Sequence, residues 1–206
     1  MERETMEYDV VVVGGGPSGL STAIKFAQMN QKNGTDYSIC LLEKGSEIGA
    51  HILSGNVFQT TALDELIPNW KELNAPLNVP VKKDKLLFLF EKTSLPIPAF
   101  IMPTMNNHGN YVISLANLCR WLAEQAESLG VEIFPGFPAS KLIYEDNKVV
   151  GVQTGDMGID AKGELKPGNE PGIEIRAKYT ILGEGCRGHL GKEIIKKFDL
   201  SKDKDP

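Results

Sequence analysis

Residues 14–19 read Gly-Gly-Gly-Pro-Ser-Gly, and what flanks them narrows the folds open to this chain more than anything else in it. Val10–Val13, just before the run, is β-branched throughout, as a strand buried on both faces should be. Just after it, Leu20, Ala23, Ile24 and Ala27 recur at helical spacing, until a polar stretch from Asn30 to Asp36 ends the helix. Ile39–Leu42 is a second short apolar run, closing on Glu43 and Lys44. Strand, glycine turn, helix and strand make a βαβ unit, which requires a parallel sheet.

Within the pattern G-x-G-x-x-G, Gly14 permits the tight turn, Gly16 lets a pyrophosphate approach the backbone, and Gly19 lets helix and strand pack closely; Gly15, Pro17 and Ser18 fill the loop. The helix then points its positive end at the phosphates. Glu43, at the end of the second strand, is placed to bond both hydroxyls of an adenosine ribose. It stands further along than the usual spacing of about 20 residues, the excess lying in the Asn30–Asp36 stretch. A carboxylate there repels a 2′-phosphate, which leaves FAD or NAD as the ligand class.

Composition removes other classes. With 22 Lys+Arg against 27 Asp+Glu the net charge is −5, and no basic nucleic-acid face is expected. The three cysteines, Cys40, Cys119 and Cys186, are scattered, so neither a disulfide framework nor a metal knuckle is indicated, and a reduced compartment is expected. The acidic N-terminus lacks the features of a signal or transit peptide. The longest apolar runs, Val10–Val13 and Leu86–Phe90, fall well short of the roughly 18 residues that span a bilayer.

Further along, Ala62, Leu63, Leu66 and Ile67 predict a short helix stopped by Pro68, and Leu86–Phe90 a strand. The proline-broken Leu95–Pro103 stretch cannot be central sheet. Ser114 is the expected N-cap of a helix through Leu129, with Gly130 after its end and a strand at Val131–Phe134. Lys141–Tyr144 and Val149–Gln153 flank a hairpin turn, Gly163–Gly172 reads as a surface loop, and Tyr179–Leu182 as a last buried strand. A Lys-rich helical tail follows, with Lys192–Lys204 expected to be a solvated surface. The expected divisions are a βαβ unit over 1–55, an inserted region over 56–112, and a continuation of the nucleotide domain over 113–206.

A second segment favours FAD. Lys178–Leu182 runs into Gly183-Glu184-Gly185-Cys186-Arg187-Gly188, which resembles the DG motif of the glutathione-reductase-like flavoproteins, with Glu184 where many relatives carry aspartate. In that superfamily an arginine placed like Arg120 points at the FAD ribose and pyrophosphate. Several longer strings, Glu43–Gly55, Pro68–Leu73, Met105–Tyr111, Gly130–Gly136 and Gly183–Gly188 with Lys196–Leu200, resemble the electron transfer flavoprotein–ubiquinone oxidoreductase family over essentially the whole chain.

The resemblance implies a Rossmann-like α/β fold: a parallel sheet with helices, an antiparallel β meander and an inserted, partly β region on the quinone side, here without its C-terminal part. It implies an enzyme that takes electrons from reduced electron transfer flavoprotein through FAD and a [4Fe–4S] cluster to ubiquinone. The setting would be peripheral, on the cytoplasmic side of a bacterial inner membrane, or the mitochondrial inner membrane in a eukaryote. Expected FAD contacts are Gly14 to Gly19, Glu43, Lys44, Arg120, Glu184 and Gly185. Ile48, Ile52, Leu53, Val57, Phe58, Leu63, Leu66 and Ile67 would form a one-sided apolar surface toward membrane and quinone, with Leu95–Met105 a further lining of a quinone tunnel.

The family's cluster cysteines and quinone-bonding glycines lie past residue 206, so no metal is expected here. Cys40 and Cys119 read as small core residues, and His51 and His108 as structural or pocket-lining. Other flavoenzymes of the superfamily, geranylgeranyl-reductase-like or hydroxylase-like, share the fingerprint and the DG motif. A non-catalytic FAD-binding fragment is the alternative from another class.

Overall fold

The structure is a computed structural model, and it describes residues 3–53, 55–98, 101, 105–159 and 165–202. Parts of the Glu43–Gly55 string, of the Leu95–Met105 stretch, of the Gly163–Gly172 stretch and of the tail therefore lie outside the described residues. The chain divides into two compact units, one of Met1–Ile52 with Cys119–Pro206 and one of Leu53–Leu118.

In the first unit, β1 (Thr5–Val13) leads through the glycine turn into α1 (Pro17–Asn33), which returns to β2 (Ile39–Glu43). The helix runs further than the polar stretch suggested, taking in Asn30–Asn33 before Gly34 turns left-handed and stops it. Polar residues on an exposed last turn do not break a helix whose buried stripe, Leu20, Ala23, Ile24 and Ala27, holds the turns before it.

The second unit opens with β3 (Asn56–Phe58) and α2 (Thr61–Leu66), followed by β4 (Val79–Pro80), β5 (Leu86–Leu89), β6 (Ser94–Ile97) and β7 (Tyr111–Ile113). Strands β3 and β4 pair antiparallel with opposite edges of β7. Leu63, Ile67, Trp70, Leu77 and Ile113 are buried in this unit. Trp70 donates its Nε1–H to Asp64 (2.7 Å) and meets the Tyr111 ring edge-on. Strands β5 and β6 form a separate two-stranded hairpin, consistent with prolines excluding β6 from a sheet interior.

The first unit resumes within α3 (Leu115–Ser128), whose first turn is met by the Ser114 hydroxyl, and then gives β8 (Glu132–Pro135). The hairpin of β9 (Ala139–Glu145) and β10 (Lys148–Thr154) turns on Asp146 and Asn147, both at positive φ. The stretch expected to be a surface loop is strand over 165–170 and irregular at Pro171 and Gly172: β12 (Leu165–Glu170) pairs antiparallel with β11 (Met157–Ile159). Proline and glycine are tolerated there because a two-stranded ribbon leaves one edge of each strand unpaired. Strand β13 (Glu174–Leu182) then enters the sheet, and α4 (Leu190–Lys197) follows.

The main sheet has the order β8-β2-β1-β13-β10-β9, parallel from β8 to β13 and antiparallel beyond. Val11, Val13, Cys40 and Leu42 pack with Leu142, Val152, Ile175 and Leu190 in one buried cluster. Leu190 is fully buried and Ile194 packs beside it, so α4 docks on the sheet by one face, while Lys192, Lys196 and Lys197 are exposed as expected of that stretch. This is an α/β Rossmann-like fold.

Candidate functional site

The parallel strands β1 and β13 end side by side, and ligands of open α/β sheets bind beyond such carboxyl ends. Two loops meet there at backbone distance. The Gly183 N–H donates to Val13 O (2.7 Å), and a Cβ built on Gly14 would lie 2.5 Å from Gly183 O. Gly14 also has φ +108°, so both its conformation and its neighbour require glycine. A Cβ on Gly19 would lie 1.9 Å from Gly14 O, which makes this glycine the condition for α1 to start so close to β1. Gly16 differs: a Cβ there meets nothing within 4 Å, so its backbone faces open space.

These loops border a cleft of about 570 Å³, a volume typical of cofactor sites. Its walls bring together Gly14, Gly16, Pro17 and Ser18 of the glycine loop with Glu43 and Lys44 at the end of β2, and Glu184 and Gly185 after β13. His51 and Ile52 also line it. Two wall segments were not singled out as site residues: Pro138–Ser140 at the start of β9, and Arg187 to His189 before α4. Arg187 was legible as part of the DG-like string. Pro138–Ser140 carries no local signal, because only the crossing of the hairpin over the sheet brings it here.

The α1 N-terminus is left open to an anion. Its N-cap, Gly16, offers no side chain, Pro17 occupies the first turn, and no acidic residue stands there. Glu43 is fixed by two backbone donors, the Gly15 N–H to Oε2 (2.8 Å) and the Gly45 N–H to Oε1 (2.7 Å). Each oxygen keeps a second lone pair, so the carboxylate can still accept from two vicinal hydroxyls. Open backbone at Gly16, an uncapped helix start and an oriented acceptor pair together fit a dinucleotide.

Glu184 lines the cleft and also holds the start of a helix. Its carboxylate accepts from the backbone N–H groups of His189 (3.2 Å), Leu190 (3.3 Å) and Gly191 (2.9 Å), capping α4. Arg120 is ion-paired with Glu47 at 3.0 Å and is not among the residues that line the cleft. Burial pushes the thiols of Cys40 and Cys119 up to about 12 and 11, as befits core residues, whereas Cys186 is exposed. Among the described residues no group of His, Cys, Asp and Glu is arranged to hold a metal ion.

The eight apolar residues expected to share one outward face do not. Ile48, Leu63 and Ile67 are buried, Ile52, Phe58 and Leu66 are half-buried, and only Leu53 and Val57 are exposed. The exposed apolar side chains cluster instead on the β5–β6 hairpin and just after β5: Leu87, Phe88, Leu89, Phe90 and Leu95. His108 is exposed in the second unit. Among the described residues no helix is long and apolar enough to cross a membrane.

Residues 12–71 match the model of the NAD(P)-binding Rossmann-like domain family. An electron transfer flavoprotein–ubiquinone oxidoreductase from Pseudomonas aeruginosa is 56% identical over all of this chain and 38% of that protein. The mitochondrial protein of the same name from Mus musculus is 49% identical over 97% of the chain and 33% of its own length. By sequence, this chain is a relative of the electron transfer flavoprotein–ubiquinone oxidoreductases. It spans about a third of the length of those it matches. Among solved structures, a geranylgeranyl bacteriochlorophyll reductase-like protein from Thermoplasma acidophilum superposes with a TM-score of 0.65 at 24% identity, over 91% of this chain and 42% of that one. A myxobacterial FAD-dependent chondrochloren halogenase gives 0.61 at 18% identity, over 90% and 39%. At these identities the likeness shows a shared fold.

Proposed function

We propose that this chain is the FAD-binding part of an oxidoreductase that passes electrons from reduced electron transfer flavoprotein to ubiquinone. The observation that carries this reading is 48–56% identity along almost the whole chain to proteins of that name. FAD, when bound, supplies the redox chemistry that links a flavoprotein donor to a quinone acceptor. The chain's own residues bind and orient it. The Gly14–Gly19 loop and the α1 N-terminus receive the diphosphate, Glu43 accepts from the ribose hydroxyls, and Gly183–Gly185 closes the cleft with backbone. No side chain of the cleft needs to act as nucleophile or general base for electron transfer. The [4Fe–4S] cluster of this reading belongs to the part of the whole protein outside this chain.

Peripheral membrane contact is part of the proposal, on the cytoplasmic face of a bacterial inner membrane. The exposed apolar β5–β6 hairpin supports it, since Lys82, Lys83, Lys85 and Lys92 flank apolar side chains in the manner of interfacial segments. The test is quinone reduction by the whole protein, driven by reduced electron transfer flavoprotein. The expected result is turnover with that donor. Turnover with an unrelated donor alone would reject the reading.

A further inference from the structure

The charges of the cleft are unevenly committed. Its two carboxylates are both held by backbone: Glu43 by Gly15 and Gly45, Glu184 by the first N–H groups of α4. Its arginine and lysine are not held at all. Among the described residues, Arg187 and Lys44 make no hydrogen bond or ion pair, and both are exposed. In a chain of net charge −5, the unpartnered fixed charges of this cleft are therefore cations. Arg120, which the sequence pattern pointed toward the phosphates, is instead ion-paired with Glu47 away from the lining.

Arg187 also sits on a well-anchored stretch. At one end Gly183 is bonded to Val13 and abuts Gly14 and Gly19 of the glycine loop. At the other, Glu184 reaches over the turn to hold residues 189–191. The turn is closed by the Gly188 N–H donating to Gly185 O (3.2 Å). A guanidinium on such a turn loses less freedom on meeting an anion than one on a free loop, and it presents two parallel donors to phosphate oxygens.

We propose that Arg187 clamps the diphosphate of the bound dinucleotide from the β13–α4 turn, taking the part that the sequence pattern gives to Arg120. This rests on the FAD reading above, and within the DG-like string it names the residue that charge pairing and position select. Arg187 then supplies charge and donors that complement the uncapped α1 N-terminus. Glu184 acts as a positioning residue that holds the turn in place.

The test is titration of the 206-residue chain with FAD, followed by flavin fluorescence, and with ADP, followed by calorimetry. The variants are Arg187→Gln, Arg187→Lys and Arg120→Gln, each checked for an unchanged urea midpoint. Arg187→Gln is expected to weaken both FAD and ADP by about tenfold, the effect of losing a charged hydrogen-bonding partner at an exposed site. Arg187→Lys should recover part of the loss, and Arg120→Gln should stay within about twofold, as for an exposed ion pair. The difference between wild type and Arg187→Gln should shrink at high salt. Unchanged affinity in Arg187→Gln, or a larger loss in Arg120→Gln, overturns the inference and leaves the FAD reading intact. Binding of ADP without FAD overturns the FAD reading while Arg187 is still judged on ADP. Binding of neither overturns both.

Discussion

Glu43 and Glu184 are both acids after parallel strands at the mouth of one cleft, and their surroundings give them different work. Glu43 is turned toward the glycine loop by two N–H donors, and Glu184 is turned toward α4 by three. The glycines are just as particular. Gly19→Ala should cost about 1–3 kcal/mol in urea unfolding, because its methyl would overlap Gly14 O and force α1 away from β1. The same substitution at Gly16, where a Cβ meets nothing, should leave the midpoint nearly unchanged while weakening dinucleotide binding. The cysteines should separate by environment: iodoacetamide on the native chain, read by mass spectrometry, should label Cys186 and spare Cys40 and Cys119, with all three labelled after unfolding. Asp156 supplies a pH test. The Arg3 guanidinium, with the Gly172 N–H, holds its carboxyl down at about 2. A depressed folded-state pKa stabilises above the unfolded value of about 4, and that contribution fades as pH falls toward 2. Urea midpoints between those limits should therefore fall less steeply in Asp156→Asn than in the wild type.

At the scale of elements, α4 is anchored by a residue that precedes its run of lysines. Its lysines are solvated as their pattern predicts, while Leu190 is fully buried against the sheet and the carboxylate of Glu184 caps the helix start. Leu190→Ala should destabilise the chain by about 2–5 kcal/mol, the range for emptying a buried leucine site, measured by urea unfolding. The βαβ unit and the β9–β10 hairpin were legible because each is specified locally. A β-branched run, a glycine turn and a helical stripe encode the first, and Asp146-Asn147 between alternating strands the second. The strands β3, β4 and β7 were not, since two or three residues carry no period and are held only by partners distant in sequence. The β12 ribbon was hidden for a related reason, its proline and glycine resembling a loop until a partner strand is present.

Across the molecule, the distribution of exposed apolar surface is the feature that most changes the functional picture. Apolar residues at 48–67 suggested a membrane face, but much of that apolar surface is in the core, and a run of exposed apolar side chains lies instead at Leu87–Phe90 with Leu95. Replacing Phe88 and Leu89 together by serine should therefore abolish co-sedimentation with anionic lipid vesicles and leave the urea midpoint unchanged. Retained sedimentation would reject the hairpin as a membrane-binding face. The paired substitution Leu63→Ser and Ile67→Ser should do the opposite, unfolding the chain more readily because both side chains are buried.

The sequence by itself determined the βαβ unit, the dinucleotide class of the cleft and the family likeness, and it set the expectation of a ribose hydroxyl rather than a 2′-phosphate at Glu43. All of these are written in contiguous residues, where turn geometry and side-chain chemistry act over a few positions. Only the tertiary structure decided that Pro138–Ser140 and Arg187–His189 complete the walls, that Glu184 serves a helix, that Arg120 goes to Glu47, and which apolar residues face outward. Those outcomes depend on which distant groups compete for the same charge, donor or packing site, and a linear pattern records the competitors without recording who meets whom.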